Sequence, residues 1–174
     1  MMDLQEGLER LNSSSAAVAE AELLKCCGST EWARALVVRR PFGDARELFE
    51  AADAVWWNLC ERGWLEAFSA HPRIGGRERA ARAQHAQAER WSEQEQTGAR
   101  TAAEATLDEL AAANRAYEDK FGHIFIVCAT GKTAEEMLAL LRARLSNPAD
   151  TELRIAATEQ SKITRLRLEK LLTT

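Results

Sequence analysis

Apolar residues recur along this chain at three- and four-residue spacing, the period of helices that bury one face. Leu4, Leu8 and Leu11 share one face of a short opening helix, which stops at Asn12-Ser13-Ser14-Ser15, a loop rich in N-cap residues. The pattern predicts a second helix from about Ala16 to Cys27, with Gly28 as its stop. A third, capped by Ser29 or Thr30, runs through Trp32 and Leu36 toward Arg39 and ends before Pro41. After Gly43-Asp44, the residues Leu48, Ala52, Val55, Trp56 and Leu59 form the stripe of a fourth helix, with Gly63 as its end. Trp64-Leu65-Glu66-Ala67-Phe68 adds a turn or two and delivers the chain to His71.

Arg77 to Arg90 is almost wholly Ala, Arg, Gln and Glu, strongly helix-forming but without a large apolar anchor, which predicts a solvated helix. Ser92 to Lys120 reads as a long helix with Leu107, Leu110, Ala111, Asn114 and Tyr117 near one face. Ile124 to Ala129 is the one strand-like run, and a lone strand has no pairing partner, so a buried segment wedged between helices is expected. Thr133-x-x-Glu136 has the form of a capping box and opens a helix carrying Met137, Leu138, Leu141 and Leu145. Asn147-Pro148 then breaks the chain before a last helix from about Thr151 to Leu172. With no internal repeat and no linker-like stretch, the expectation is an all-α fold, a single compact multi-helix domain over residues 1–174.

Composition narrows the function classes. The 174 residues are 46% hydrophobic and 29% charged, with three prolines and nine glycines, a balance that favours helices over sheets. A formal net charge of −4, with no Lys/Arg stripe interleaved with aromatics, argues against a nucleic-acid partner and for small molecules or proteins. Cys26, Cys27, Cys60 and Cys128 show neither CxxC spacing nor a nearby histidine pair, so neither a zinc site nor a disulfide framework is suggested. Reduced thiols, the lack of a basic-then-apolar leader and the lack of a run of about 20 apolar residues make a cytoplasmic protein without a membrane segment the expectation. Gly131-Lys132-Thr133 looks like the end of a phosphate-binding loop, but the glycine such a loop requires five positions earlier is Ile126.

Ala70-His71-Pro72-Arg73-Ile74-Gly75-Gly76 sets a histidine at a sharp break between two helical patterns. A histidine there suits proton exchange with a substrate, and equally suits a turn histidine bonded to backbone. Ser92-x-x-Glu95 is explained by helix capping, yet a helix start bearing a carboxylate and the Gln96 amide also suits a polar, partly anionic ligand. On the last helix, Ala156, Gln160, Ile163 and Arg167 fall at i, i+4, i+7 and i+11. An arginine on such a stripe needs an anion, supplied either by an internal Asp or Glu or by a substrate carboxylate. His85 lies among solvated helix formers, and His123 either lines a pocket or makes one structural hydrogen bond.

Taken in order, these pieces resemble the 2-oxo-4-hydroxy-4-carboxy-5-ureidoimidazoline (OHCU) decarboxylases. The resemblance spans nearly the whole chain and rests on Leu11-Asn12-Ser13, Arg40-Pro41-Phe42, Ala70-His71-Pro72-Arg73-Ile74-Gly75, Ser92-x-x-Glu95-Gln96, Phe121-Gly122-x-x-Phe125 and Glu159-Gln160-x-Lys162-Ile163-x-x-Leu166-Arg167-Leu168. It implies an all-α fold, no cofactor and no metal, a homodimer, and conversion of OHCU into (S)-allantoin with loss of carbon dioxide. On the matching positions His71 and Glu95 are implied as catalytic, and Pro72, Ser92, Gln96, Arg167 and the backbone at Val127 as substrate-binding. The chain departs from the family after Gln96, where Thr97-Gly98-Ala99-Arg100 stands in place of the Ala-Gly-Leu the family often carries. Two other classes compete: a metal-dependent hydrolase, for which one histidine and one carboxylate are a thin ligand set, and a non-catalytic helical binding module.

Overall fold

In the computed structural model of the chain, residues 4–71 and 93–173 are described, the side chains of the second stretch from residue 105 onward. Eight helices and no strand stand among the described residues: α1 Leu4–Ser13, α2 Ala16–Cys27, α3 Thr30–Val38, α4 Ala45–Asn58, α5 Glu61–Ser69, α6 Glu93–Phe121, α7 Ala134–Arg144 and α8 Ala149–Thr173. The expectation of an all-α fold is met. The solvated helix expected over Arg77 to Arg90 lies outside the described residues.

Local chemistry accounts for most boundaries. Ser15 accepts from the Val18 amide at 3.3 Å and Ser29 from the Trp32 amide at 3.4 Å, so each serine satisfies one orphan donor at a helix start. Gly28 closes α2 at φ 82°, a left-handed conformation that favours glycine, and its N–H returns to the Leu24 carbonyl at 2.8 Å. Thr133 and Glu136 form a complete capping box: the Thr133 side chain accepts from the Glu136 amide at 3.2 Å, and the Glu136 carboxylate accepts from the Thr133 amide at 2.8 Å.

The expected end of the fourth helix is corrected. Helix α4 stops at Asn58, and α5 starts at Glu61 with Gly63 inside it. Gly63 is small for packing rather than for turning: a Cβ there would lie 3.2 Å from both Cβ and Cδ1 of Leu59. The turn itself is made at Leu59, whose backbone goes extended at ψ 146°.

The chain divides into two packing units, Met1–His71 with Ile155–Thr174, and Pro72–Arg154. In the first, α2 packs on α3, α3 on α4 and α5, and α1 on α4. Its core holds Leu8, Leu23, Trp32, Leu36, Leu48, Trp56, Phe68, Leu168 and Leu172. Three buried indoles each find a carbonyl: Trp32 donates to Ala52 at 3.0 Å, Trp56 to Ala157 at 3.0 Å and Trp64 to Trp56 at 2.9 Å. Of the Trp56-Trp57 pair, Trp56 is 2% exposed and Trp57 43%, whereas both Cys26 and Cys27 are buried.

In the second unit α6 packs on α7 around Leu110, Tyr117, Phe125, Val127, Leu138 and Leu141. Residues 124–129 form neither helix nor strand, and Phe125, Ile126 and Val127 are buried, as expected for a segment without a pairing strand. No helix among the described residues is long and apolar enough to cross a membrane.

Candidate active site

His71 stands where the sequence places it, immediately after the C-cap of α5. The Ala70 N–H donates to the Ala67 carbonyl at 3.3 Å and the His71 N–H to the Phe68 carbonyl at 3.1 Å, so the histidine is half-buried at a bend still tied to the helix. It is also the last residue of the first packing unit. Pro72 and Ser92 lie outside the described residues. Glu95 and Gln96 lie in the first turn of α6, with their side chains outside the described set.

Arg167 is half-buried on α8, beside a ridge of buried Gln160, Thr164, Leu168 and Leu172. Its Nη1 donates to the carbonyls of Lys25 and Cys26, each at 3.3 Å, at the C-terminal end of α2. A cation there meets the negative end of the helix dipole. Of the two anions considered for this arginine, the internal carboxylate is missing: among the described residues Arg167 forms no ion pair with Asp or Glu. Arg165, two residues before, pairs instead with Glu169 at 2.8 Å and lies 3.6 Å from the centre of the Phe49 ring.

The Arg167 guanidinium also acts on two thiols. Burial pushes Cys26 up to about 11, partly offset by the positive charge of Arg167, and Cys27 up to about 12, partly offset by hydrogen bonds from Ser29 and Thr164 and least by Arg167. None of the four cysteines forms a disulfide. Gln160 is fully buried; its Nε2 donates to Thr164 Oγ1 at 3.1 Å, while its Oε1 has no partner among the described residues.

Val127, 6% exposed, belongs to the second unit. Neither its N–H nor its carbonyl hydrogen-bonds to another described residue. Buried backbone groups are nearly always paired, so an open pair here suits contact with a ligand. His123 makes the structural bond that was one of its two readings, its Nδ1 lying 3.0 Å from the Ile124 carbonyl. Among the described residues no group of three or more His, Cys, Asp or Glu side chains is arranged to hold a metal ion.

One cluster escaped sequence reasoning. Glu152, 0% exposed, accepts from Arg144 Nε at 2.7 Å, from Asn147 Nδ2 at 2.8 Å and from the Tyr117 hydroxyl, while Arg144 Nη1 donates to the Ile126 carbonyl at 2.8 Å. Burial and the bond to Glu152 push the Tyr117 phenol well above its usual range. A signal was present: Glu152 continues the Ala156, Gln160 spacing one turn back, and Arg144 sits three residues beyond Leu141 on the apolar face of α7.

The described residues thus give an all-α chain with a histidine at a helix break, an arginine without a carboxylate partner among them, and a buried Val127 whose backbone groups bond to no described residue. The family model of OHCU decarboxylase matches residues 12–169. The chain belongs to the OHCU decarboxylase family.

Among relatives, the uric acid degradation bifunctional protein TTL of Arabidopsis thaliana is 43% identical over 88% of this chain and 47% of its own length. The 2-oxo-4-hydroxy-4-carboxy-5-ureidoimidazoline decarboxylase of Amia calva is 29% identical over 76% of this chain and 75% of its own length. The chain spans about half or less of the first curated relatives, reaching 26% of the uric acid degradation bifunctional protein PucL of Bacillus subtilis. Among solved structures, an OHCU decarboxylase crystallised in the presence of (S)-allantoin is 40% identical, with a TM-score of 0.71 over 88% of this chain and 98% of that one. An (S)-allantoin synthase structure, 22% identical with a TM-score of 0.69 over 94% of this chain and 53% of that one, shares the fold.

Proposed function

We propose that this protein converts OHCU into (S)-allantoin and carbon dioxide, without a cofactor, in the breakdown of urate. The observation that carries the reading is the family match from residue 12 to 169, which encloses every residue implied as catalytic or substrate-binding. A single domain over residues 1–174, a homodimer and a cytoplasmic setting belong to the same proposal.

The chemistry suits such a site. When the bond between the ring carbon and the carboxylate breaks, its electron pair stays on the ring and is taken up by the adjacent imine or carbonyl. The substrate is its own electron sink, so no pyridoxal or metal is required. The protein's work is to hold the carboxylate out of the ring plane, stabilise the delocalised anion and return a proton to one face. His71 is the acid/base, taking the substrate hydroxyl proton or delivering the final one, and Glu95 polarises the leaving group or tunes the histidine. Pro72, Ser92, Gln96 and the Val127 backbone hold the ureidoimidazoline. Arg167 holds an anionic or carbonyl oxygen, supported by its lack of an internal carboxylate among the described residues.

The test follows optically active allantoin formed from freshly generated OHCU by the wild-type chain and by His71→Ala and His71→Asn. Wild-type turnover with retained stereochemistry is expected, reduced about 100- to 10,000-fold in both variants, the usual worth of a positioned acid/base. Undiminished stereoselective turnover in His71→Ala overturns the role of His71, and an inactive wild type overturns the function.

A further inference from the structure

We propose that Arg144 is a positioning residue that sets the ligand-facing backbone of residues 125–127, an inference that rests on the reading of Val127 as substrate-binding. The segment from Ile124 to Cys128 has no secondary-structure ladder, yet three of its carbonyls, two residues apart, are each held by a side chain. His123 Nδ1 lies 3.0 Å from the Ile124 carbonyl, Arg144 Nη1 donates to Ile126 at 2.8 Å and Lys132 Nζ donates to Cys128 at 2.8 Å. The carbonyls of 124, 126 and 128 are thus committed to the scaffold, and among the described residues nothing bonds the N–H or carbonyl of the intervening Val127.

Of the three holders, Arg144 is the buried one and the one fixed from every side. Its guanidinium is paired with fully buried Glu152 and lies 4.5 Å from the centre of the Phe125 ring. Glu152 is in turn held by Tyr117 on α6 and by Asn147. Stability explains such a cluster poorly, because a buried ion pair is often matched or exceeded by apolar residues of similar size. A rigid fork between α7 and an irregular segment explains it: displacing reacting groups by about 1 Å can cost about 100-fold in rate.

The experiment compares wild type, Arg144→Lys, Arg144→Met and the double variant Arg144→Met/Glu152→Leu. Each is measured for thermal unfolding, (S)-allantoin Kd, OHCU KM and kcat, and backbone order parameters of residues 125–128. Arg144→Met is expected to lose stability and the double variant to regain it, whereas Kd and KM stay raised about 10- to 100-fold in both. Order parameters at 125–128 fall in both while those of α6 hold. Arg144→Lys recovers part of the affinity. If the double variant binds and turns over like wild type with unchanged order parameters, Arg144 is merely structural and the proposal is overturned. Should wild type neither bind (S)-allantoin nor turn over OHCU, the function fails, and the order parameters alone decide the positioning: unchanged values overturn it, lowered ones support it.

Discussion

Asn12 and Phe42 exchange two hydrogen bonds across 30 positions of sequence: the Asn12 Nδ2 donates to the Phe42 carbonyl at 2.8 Å, and the Phe42 N–H donates to Asn12 Oδ1 at 3.0 Å. Arg40 reinforces the pairing by donating to the Ser14 carbonyl at 2.9 Å and to the Leu11 carbonyl. Two of the motifs on which the family resemblance rests, Leu11-Asn12-Ser13 and Arg40-Pro41-Phe42, are therefore two halves of one clamp between the α1–α2 turn and the α3–α4 connection. They belong to the scaffold rather than to the chemistry.

Replacing Asn12 by Ala removes both partners of a buried Phe42 and leaves its backbone groups unmatched. The expected loss is about 1–3 kcal/mol, read as a lower urea midpoint with unchanged slope. Turnover per folded molecule is expected to stay at the wild-type value. A selective loss of kcat with full stability would show that the clamp serves the site.

Gly7 lies where α1 crosses the C-terminal end of α8: a Cβ there would sit 2.0 Å from the Leu172 carbonyl oxygen, which is backbone and has nowhere to retreat. Gly7→Ala gains helix propensity but forces the helices apart. Overpacking of this kind costs about 1–3 kcal/mol or more, so the melting temperature should drop despite the better helix former.

Arg167→Gln removes a charge that, among the described residues, binds no carboxylate and donates to two α2 carbonyls. The fold should hold within about 1 kcal/mol, the worth of a cation at a helix end. Binding of (S)-allantoin, followed by calorimetry, should weaken about 10- to 100-fold, as expected for losing one charge-assisted hydrogen bond. Gross unfolding of the variant would point to a structural ion pair instead.

Cys26 and Cys27, pushed up to about 11 and about 12 by burial, stay protonated in the folded chain at pH values where the unfolded chain releases its thiol protons. The folded state then binds more protons than the unfolded one, and stability falls with rising pH. Their contribution is full below pH 9 and declines from there through about 12, so urea midpoints should decrease over that window. The Tyr117 phenol, also raised, steepens the same decline. At pH 8 a thiol reagent should modify exposed Cys60 in the native chain and reach Cys26 and Cys27 only after denaturation.

Much of the fold was legible because the deciding contacts are local. Ser15, Ser29 and Thr133 cap helices through bonds that span three residues, and Gly28 ends α2 through a bond that spans four. Side-chain period alone located the buried faces of α4 and α6, where Leu48, Ala52, Val55, Trp56, Leu110 and Tyr117 are all buried. Gly63 reads as a helix end in the sequence because a glycine that turns the chain and one that admits Leu59 are the same letter; only the packing separates them.

The sequence by itself determined the helices, their caps and the position of His71 at a helix end, because each follows from groups within a turn or two of one another. Tertiary structure alone decided the pairings that reach further: Asn12 with Phe42, Arg167 on the end of α2, and Arg144 with Glu152 and Ile126. Whether a charge is buried and what then satisfies it depend on which distant surfaces meet, and the cost of leaving it unpaired dictates the partner only once they have met.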